Sequence, residues 1–237
     1  MVTETTGASY ASNQQQDDQT TMNKTVSGKR ERTRLAIIHA AMNIIASKGL
    51  DAASIAELMH ETGMARGTFY NYFQSREDVL QAVLEYVRKL LHEKIELHIP
   101  DNQPPEVIIA CMMYGVMQYS LDHPAMGWVV VRLGGDNDWF SPYDFKSRQF
   151  PRADDAVLAL IKKDTPLMII HTYIEGSVNT LLRRVLKQHI GIQDAEQLLM
   201  LILRGLGADD SAIDSAITAA REFADFIHHN EGHNSVM

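Results

Sequence analysis

The 237-residue chain has a single cysteine, Cys111, so it cannot form an intramolecular disulfide, and a reducing compartment is expected. It contains no run of about eighteen apolar residues that would span a bilayer. The N-terminus also has no basic-then-apolar leader pattern, and the location expected is cytoplasmic, with no membrane partner. A Walker-type loop, a GxGxxG fingerprint and a nucleophile elbow are all missing, so no enzyme active site is indicated and no cofactor is called for. Strand-type alternation is lacking as well, which leaves an all-α chain. There is no excess of positive charge either: the formal net charge is −8. No positive cluster lies near Cys111 to lower its pKa, and it reads as a small apolar side chain on a buried helix face rather than an oxidant sensor.

What is present is concentrated between Ser54 and Leu80, SIAELMHETGMARGTFYNYFQSREDVL. Ser54-Ile-Ala-Glu57 is a capping box: the Ser hydroxyl can accept the N–H three residues on, and the Glu can reach back. Ile55, Leu58 and Met59 fall at i, i+3 and i+4, which puts one face inward and leaves Glu57 and Glu61 in water. Gly63 ends this helix by taking a positive φ, and Met64 plugs the corner beneath it. A second helix is predicted from about Ala65 to Phe73. Phe69 and Phe73, four apart, share its buried side, leaving Arg66, Gly67, Thr68, Tyr70, Asn71 and Tyr72 towards the first turn and the outer faces. Arg can bond two base-edge acceptors at once, hydroxyls can bond phosphates, and Gly67 lets the backbone approach a duplex closely. These positions, with Ser54 and Arg76, are the candidate DNA contacts.

This stretch resembles the recognition-helix signature of the TetR family of bacterial transcriptional regulators. Its glycine, apolar residue, two further positions, Gly-Thr, apolar residue, Tyr, any residue, second aromatic, Phe and following Ser with acids are all met in GMARGTFYNYFQSREDVL. The likeness extends upstream through Leu35 to Leu50. It implies an N-terminal three-helix helix-turn-helix domain, a fourth linker helix, and a helical C-terminal domain that binds a ligand and dimerises. Two departures stand out. Ala65 replaces the usual Ser-like cap, at a cost of roughly 1 kcal/mol, and Ala56 stands where a long basic residue is common.

Divided along the chain, the charge fits that implication. Residues 29 to 76 carry seven Lys or Arg and four acids, a net +3, and the remainder sums to −11. A basic reading head on an acidic body docks through one face. Lys29, Arg30, Arg32 and Arg34 form the densest basic patch, placed to reach phosphate or the minor groove.

Residues 1–28 have almost no large apolar side chains and are expected to be a disordered tail. The head spans 29–76, with a first helix over Lys29 to Ser47, striped by Leu35, Ile38, Met42 and Ile45 and stopped by Gly49. The body spans 77–230. Its helices are predicted from Ser75 to about Leu97, then over 105–121, 124–134, 150–163, 166–188, 193–205 and 209–228. Residues 231–237 are expected to be flexible. The helices 166–188 and 193–205 leave apolar surface for a homodimer. Two heads would then read a near-palindromic operator in double-stranded DNA, with half-sites about 10 bp or somewhat more apart.

For the effector, Met112, Met113, Met117, Trp128, Trp139, Phe140 and Phe145 offer adaptable apolar surface suited to a largely hydrophobic small molecule. His171, Glu175 and Asn179 recur every four residues, and Arg132 interrupts the apolar run VVVRL. They either orient the polar end of a ligand or form a structural hydrogen-bond network across the dimer. No metal is expected, because His228, His229 and His233 sit in a polar, solvated end. The reading is a ligand-responsive repressor; the alternatives are a DNA-binding dimer without effector and a helical small-molecule-binding protein or enzyme.

Overall fold

Caps and apolar spacing place most helix ends where the sequence predicts them. The computed structural model describes residues 8–134, 150–161 and 165–234. Its helices are α1 (Ala8–Lys48), α2 (Ile55–Thr62), α3 (Arg66–Tyr70), α4 (Arg76–Lys94), α5 (Pro105–Asp122), α6 (Pro124–Gly134), α7 (Pro151–Leu160), α8 (Leu167–Leu186), α9 (Ile192–Leu206) and α10 (Asp210–Asn234). The described residues contain no strand.

Five boundaries differ from expectation by three residues or more, among them the end of α7, which stops at Leu160 instead of residue 163. Helix α1 begins at Ala8 rather than Lys29. Residues 8–27 contain neither Gly nor Pro, and once 29–48 has met the cost of nucleation, each added residue gains a hydrogen bond without needing an apolar face. Helix α3 stops at Tyr70, where the Asn71 and Tyr72 N–H groups turn back to Thr68 and Phe69 in tighter i→i+3 bonds of 3.2 and 2.9 Å. Helix α4 stops at Lys94, and Glu96–His98 form a 3-10 turn. Helix α10 runs past His228 to Asn234, so the flexible end expected from residue 231 is helical up to that point.

The head core is built by Ile37, Ile38, Ile44 and Ile45 of α1, Leu58 of α2, Phe69 of α3, Phe73 and Val79, Leu80 and Val83 of α4, all buried. Leu35 and Met42, expected on the buried stripe of α1, are only partly covered. In the body, α5 is the central helix. It is buried continuously from Ile109 to Met117 and packs on α6, α7, α8, α9 and α10. Met112, Met113 and Met117 therefore belong to this core. Gly115 permits a close approach, since a Cβ there would lie 2.7 Å from Cγ2 of Ile95 and 3.1 Å from Phe223. Cys111 is 1% exposed, and burial pushes its thiol up to about 12, as an apolar role requires.

Two polar knots tie the body together. Glu96 is fully buried: its Oε1 accepts the Arg152 and Ala153 N–H groups at 2.9 and 3.1 Å, capping the start of α7, and its Oε2 lies 2.6 Å from His92 Nδ1 of α4. The Arg152 guanidinium returns to the carbonyls of Glu96, Ile99 and Pro100 at 3.3, 2.5 and 2.6 Å. This knot explains why α4 ends early, because the chain turns to put Glu96 beneath α7.

In the second knot Glu196 of α9 accepts the Tyr114 hydroxyl at 2.8 Å and Arg221 Nε and Nη2 at 2.7 and 2.5 Å. Bonding to Arg221 above all holds the Glu196 carboxyl below its ordinary value of 4.5, against the opposing effect of burial and with a further bond from Tyr114. A carboxyl lowered in the folded state adds stability that is complete above the unfolded value and is lost as pH falls through the folded one. Glu196→Gln should therefore cost about 1–2 kcal/mol at neutral pH, because Arg221 is partly in water. That difference from the wild type should shrink as pH drops below 4.5, measured as urea midpoints across an acid series.

Candidate nucleic-acid interface

Ser54 caps α2, its Oγ accepting the Glu57 N–H at 3.2 Å. Only half of the expected capping box forms: the Glu57 carboxylate pairs with Lys48 of α1, and the Ser54 N–H goes to the Ala52 carbonyl at 2.8 Å. Gly63 closes the helix at φ 64°, while Met64 sends its N–H back to Met59 at 3.2 Å and packs partly against the core. The start of α4 shows a related shift. The Ser75 Oγ accepts the Asp78 N–H at 3.1 Å, and the Asp78 carboxylate takes the N–H of Gln74 at 3.0 Å.

Between these caps α3 is seated by Phe69 and Phe73, both buried. Arg66, Gly67, Thr68 and Asn71 are exposed, and Tyr70 and Tyr72 are half-buried. Ala65 stands at the N-cap without a side-chain bond, so the first N–H groups of α3 face outward, unpaired by any cap. The Arg66 guanidinium lies 5.7 Å from the Tyr70 ring centre, which steers it along the outer face. Nothing stands within 4 Å of where a Gly67 Cβ would be, so this side of the helix is open to a large partner. The arrangement presents a guanidinium, hydroxyls and free backbone donors on one short helix, a chemistry matched to phosphates and base edges.

The remaining candidates divide. Lys29, Arg30 and Arg32 are exposed on α1, with Arg32 Nε also bonding the Gly28 carbonyl at 3.2 Å. Arg34 is half-buried, its guanidinium 5.3 Å from the Phe73 ring centre. Arg76 is turned inward: it donates to the carbonyls of Leu50 and Ala53 at 2.8 and 3.1 Å, so its guanidinium holds the α1–α2 corner instead of facing outward.

Residues 37–83 match the family model of bacterial regulatory proteins, tetR family. The match is confined to these residues, and in them the chain is similar to the tetR family. The chain is 44% identical over 64 residues to the HTH-type transcriptional regulator YvdT of Bacillus subtilis (strain 168), a segment making up 27% of this chain and 31% of YvdT. It is 34% identical over 83 residues to the HTH-type transcriptional repressor LfrR of Mycolicibacterium smegmatis, 35% of this chain and 43% of LfrR. The chain thus spans less than half the length of either relative. A TetR family transcription regulator from Marinobacter aquaeolei VT8 shares the fold, with a TM-score of 0.55 and 17% identity, over 83% of this chain and 97% of that one.

Behind the head, the candidate effector residues are scattered. Met113 and Met117 are buried on α5, and Trp128 is half-buried on α6. Trp139, Phe140 and Phe145, and the side chain of His171, lie outside the described residues. Arg132 donates to the Ile45 carbonyl in α1 and sits 5.2 Å from the Trp128 ring centre. Asn179 donates to the Val131 carbonyl at 3.1 Å, so it links α8 to α6 within one subunit. Glu175 is half-buried, and burial raises its carboxyl pKa.

A cleft of about 500 Å³ lies between the turn Asp101–Gln103 and α7, and one of about 400 Å³ lies beside the α8–α9 turn; neither is lined by Met113, Met117, Glu175 or Asn179. His228 is engaged rather than free, with Nδ1 2.9 Å from Asp122. No group of three or more metal-ligating side chains occurs among the described residues, and none of their helices is long and apolar enough to cross a membrane.

Sequence reasoning missed the inward Arg76 and the whole Glu96 knot. For the knot, the one signal available was the i, i+4 pair His92 and Glu96.

Proposed function

We propose that the chain is a transcriptional repressor that binds a near-palindromic operator as a homodimer and is released by a largely hydrophobic small molecule. The observation that carries this reading is the exposed outer face of α3, where Arg66, Thr68 and Asn71 stand clear of a helix seated by buried Phe69. The +3 head on a −11 remainder adds steering through that face. Dimerisation is supported by a contiguous apolar patch: Ile169 and Tyr173, one turn apart on α8, are 58% and 36% exposed, and Leu201 of α9 is 55% exposed. The Tyr173 hydroxyl bonds the Leu201 carbonyl at 3.0 Å, which joins the two helices into one surface. Release by an effector is supported by the half-buried Glu175, a carboxyl whose pKa burial raises and which can anchor the polar end of a ligand.

The test is binding-site selection from a random duplex library at fixed, near-physiological salt, repeated with Arg66→Ala. A near-palindrome should be recovered, and the variant should bind it about 10- to 100-fold more weakly with relaxed preference at one base pair per half-site. Recovery of no enriched sequence, with only weak salt-sensitive binding, would sink the regulator reading. Unchanged operator affinity across a broad panel of apolar compounds would remove the effector from it.

A further inference from the structure

The α1–α2 corner is held from two directions. Arg76, in the first turn of α4, bonds the Leu50 and Ala53 carbonyls. Arg132 reaches from α6 of the body to the Ile45 carbonyl, which also receives the Gly49 N–H at 3.1 Å in the last turn of α1. That is the negative end of the α1 dipole, where a permanent cation is favourable. The guanidinium is itself braced. The Trp128 ring, one turn earlier on α6, lies 5.2 Å away, and Asn179 of α8 holds the adjoining Val131 carbonyl at 3.1 Å. A planar cation that both stacks and donates is a role Lys fills poorly. The remaining residues of this turn, Val129, Val130, Val131 and Leu133, are buried and apolar, so the charge is carried at a free-energy cost that packing alone does not explain.

We infer that Arg132 is a positioning residue for operator binding: it fixes the pose of the reading head on the body and so sets the separation of the two heads. The inference rests on the dimeric regulator reading above. Arg132 touches no base. It acts through the end of α1, from which the chain passes directly into the corner, α2 and α3. Without it, the corner keeps Arg76 and the apolar contacts within the head, which travel with the head. The body then loses the polar hold of α6 on α1 and keeps the His39–Tyr86 bond of 3.1 Å between α1 and α4, so head-to-head spacing varies more widely while each half-site contact is retained.

The experiment uses the full-length chain and Arg132→Ala. Each is taken through selection from the random library, then titrated on operators with intact half-sites and the central spacer lengthened or shortened by one and two base pairs. Both proteins should select the same half-site. The affinity ratio between the best spacer and its one-base-pair neighbours should fall roughly fivefold or more in the variant. Arg132→Lys should lie between, since its ammonium can reach the carbonyl but does not stack on Trp128 as a plane. A uniform loss on every spacer, with the ratio unchanged, marks a merely structural role and overturns the inference. Should Arg132→Ala fail to fold, the same ratio is measured for Arg132→Lys and Trp128→Leu: a fall supports the positioning role, and an unchanged ratio overturns it. A wild type that selects no two-fold sequence overturns the regulator reading itself, an outcome distinct from a sharp spacing preference that survives loss of Arg132.

Discussion

Replacing Glu96 with Ala should destabilise the protein by about 3–5 kcal/mol, read from urea unfolding near neutral pH. The carboxylate is fully buried and satisfies two backbone N–H groups at the start of α7 and the ring nitrogen of His92. Truncation leaves the Arg152 and Ala153 N–H groups at the start of α7 without their acceptor and opens a void beside them. Glu96→Gln keeps an acceptor for the N–H groups and loses only the charge, so its cost should be about half as large. A loss below about 1 kcal/mol for the alanine variant would mean that α7 finds another cap, and the knot would then be no more than a surface ion pair in its energetics. The effect should also exceed that of removing His92, whose ring is partly in water.

Phe69→Ala should cost about 3–5 kcal/mol, concentrated in the head. Phe69 is fully buried and is the fourth residue of a helix only five residues long. Such a helix has no stability of its own in water, and its geometry is imposed by what it packs against. The variant should lose duplex binding together with a low-temperature unfolding step of the head. Arg66→Ala should lose binding with the unfolding temperature unchanged. Paired thermal melts and titrations separate the two. If Phe69→Ala melted like the wild type, the head core would have to be sustained by α1 and α4 alone.

The features legible in the sequence are those written within a few residues of each other. The Ser54 and Ser75 caps, the Gly63 corner and the Phe69–Phe73 spacing are local, and each follows from reach along one turn. The outer face of α3 follows from the same spacing. Partners that meet only after folding are not legible. The Arg132 bond to Ile45 joins residues 87 apart and the Glu96 cap on α7 joins residues 56 apart, so no periodicity reports them. Arg132 stands out as a charge in an apolar run, which marks an unusual residue but not its partner. Glu57 shows the limit even of a local rule: it had a nearby N–H to accept, yet Lys48 in another helix offered a full charge. The early start of α1 is hidden for a different reason, because a helix that grows from an established one carries no apolar signature.

Helix α3 divides its labour between side chains that never meet the same demands. Phe69 anchors it, while Arg66, Thr68 and Asn71 contribute almost nothing to the head core. Exchanges at these three positions therefore cost little folding free energy, and under the function proposed above a lineage can sample new target sequences by single steps without first acquiring a stabilising change elsewhere. Open space around Gly67 extends that freedom to larger residues. The scaffold is evolvable for the same reason that its reading face is weakly packed: divergence among duplicated copies can proceed at the surface while the hydrophobic anchor stays fixed.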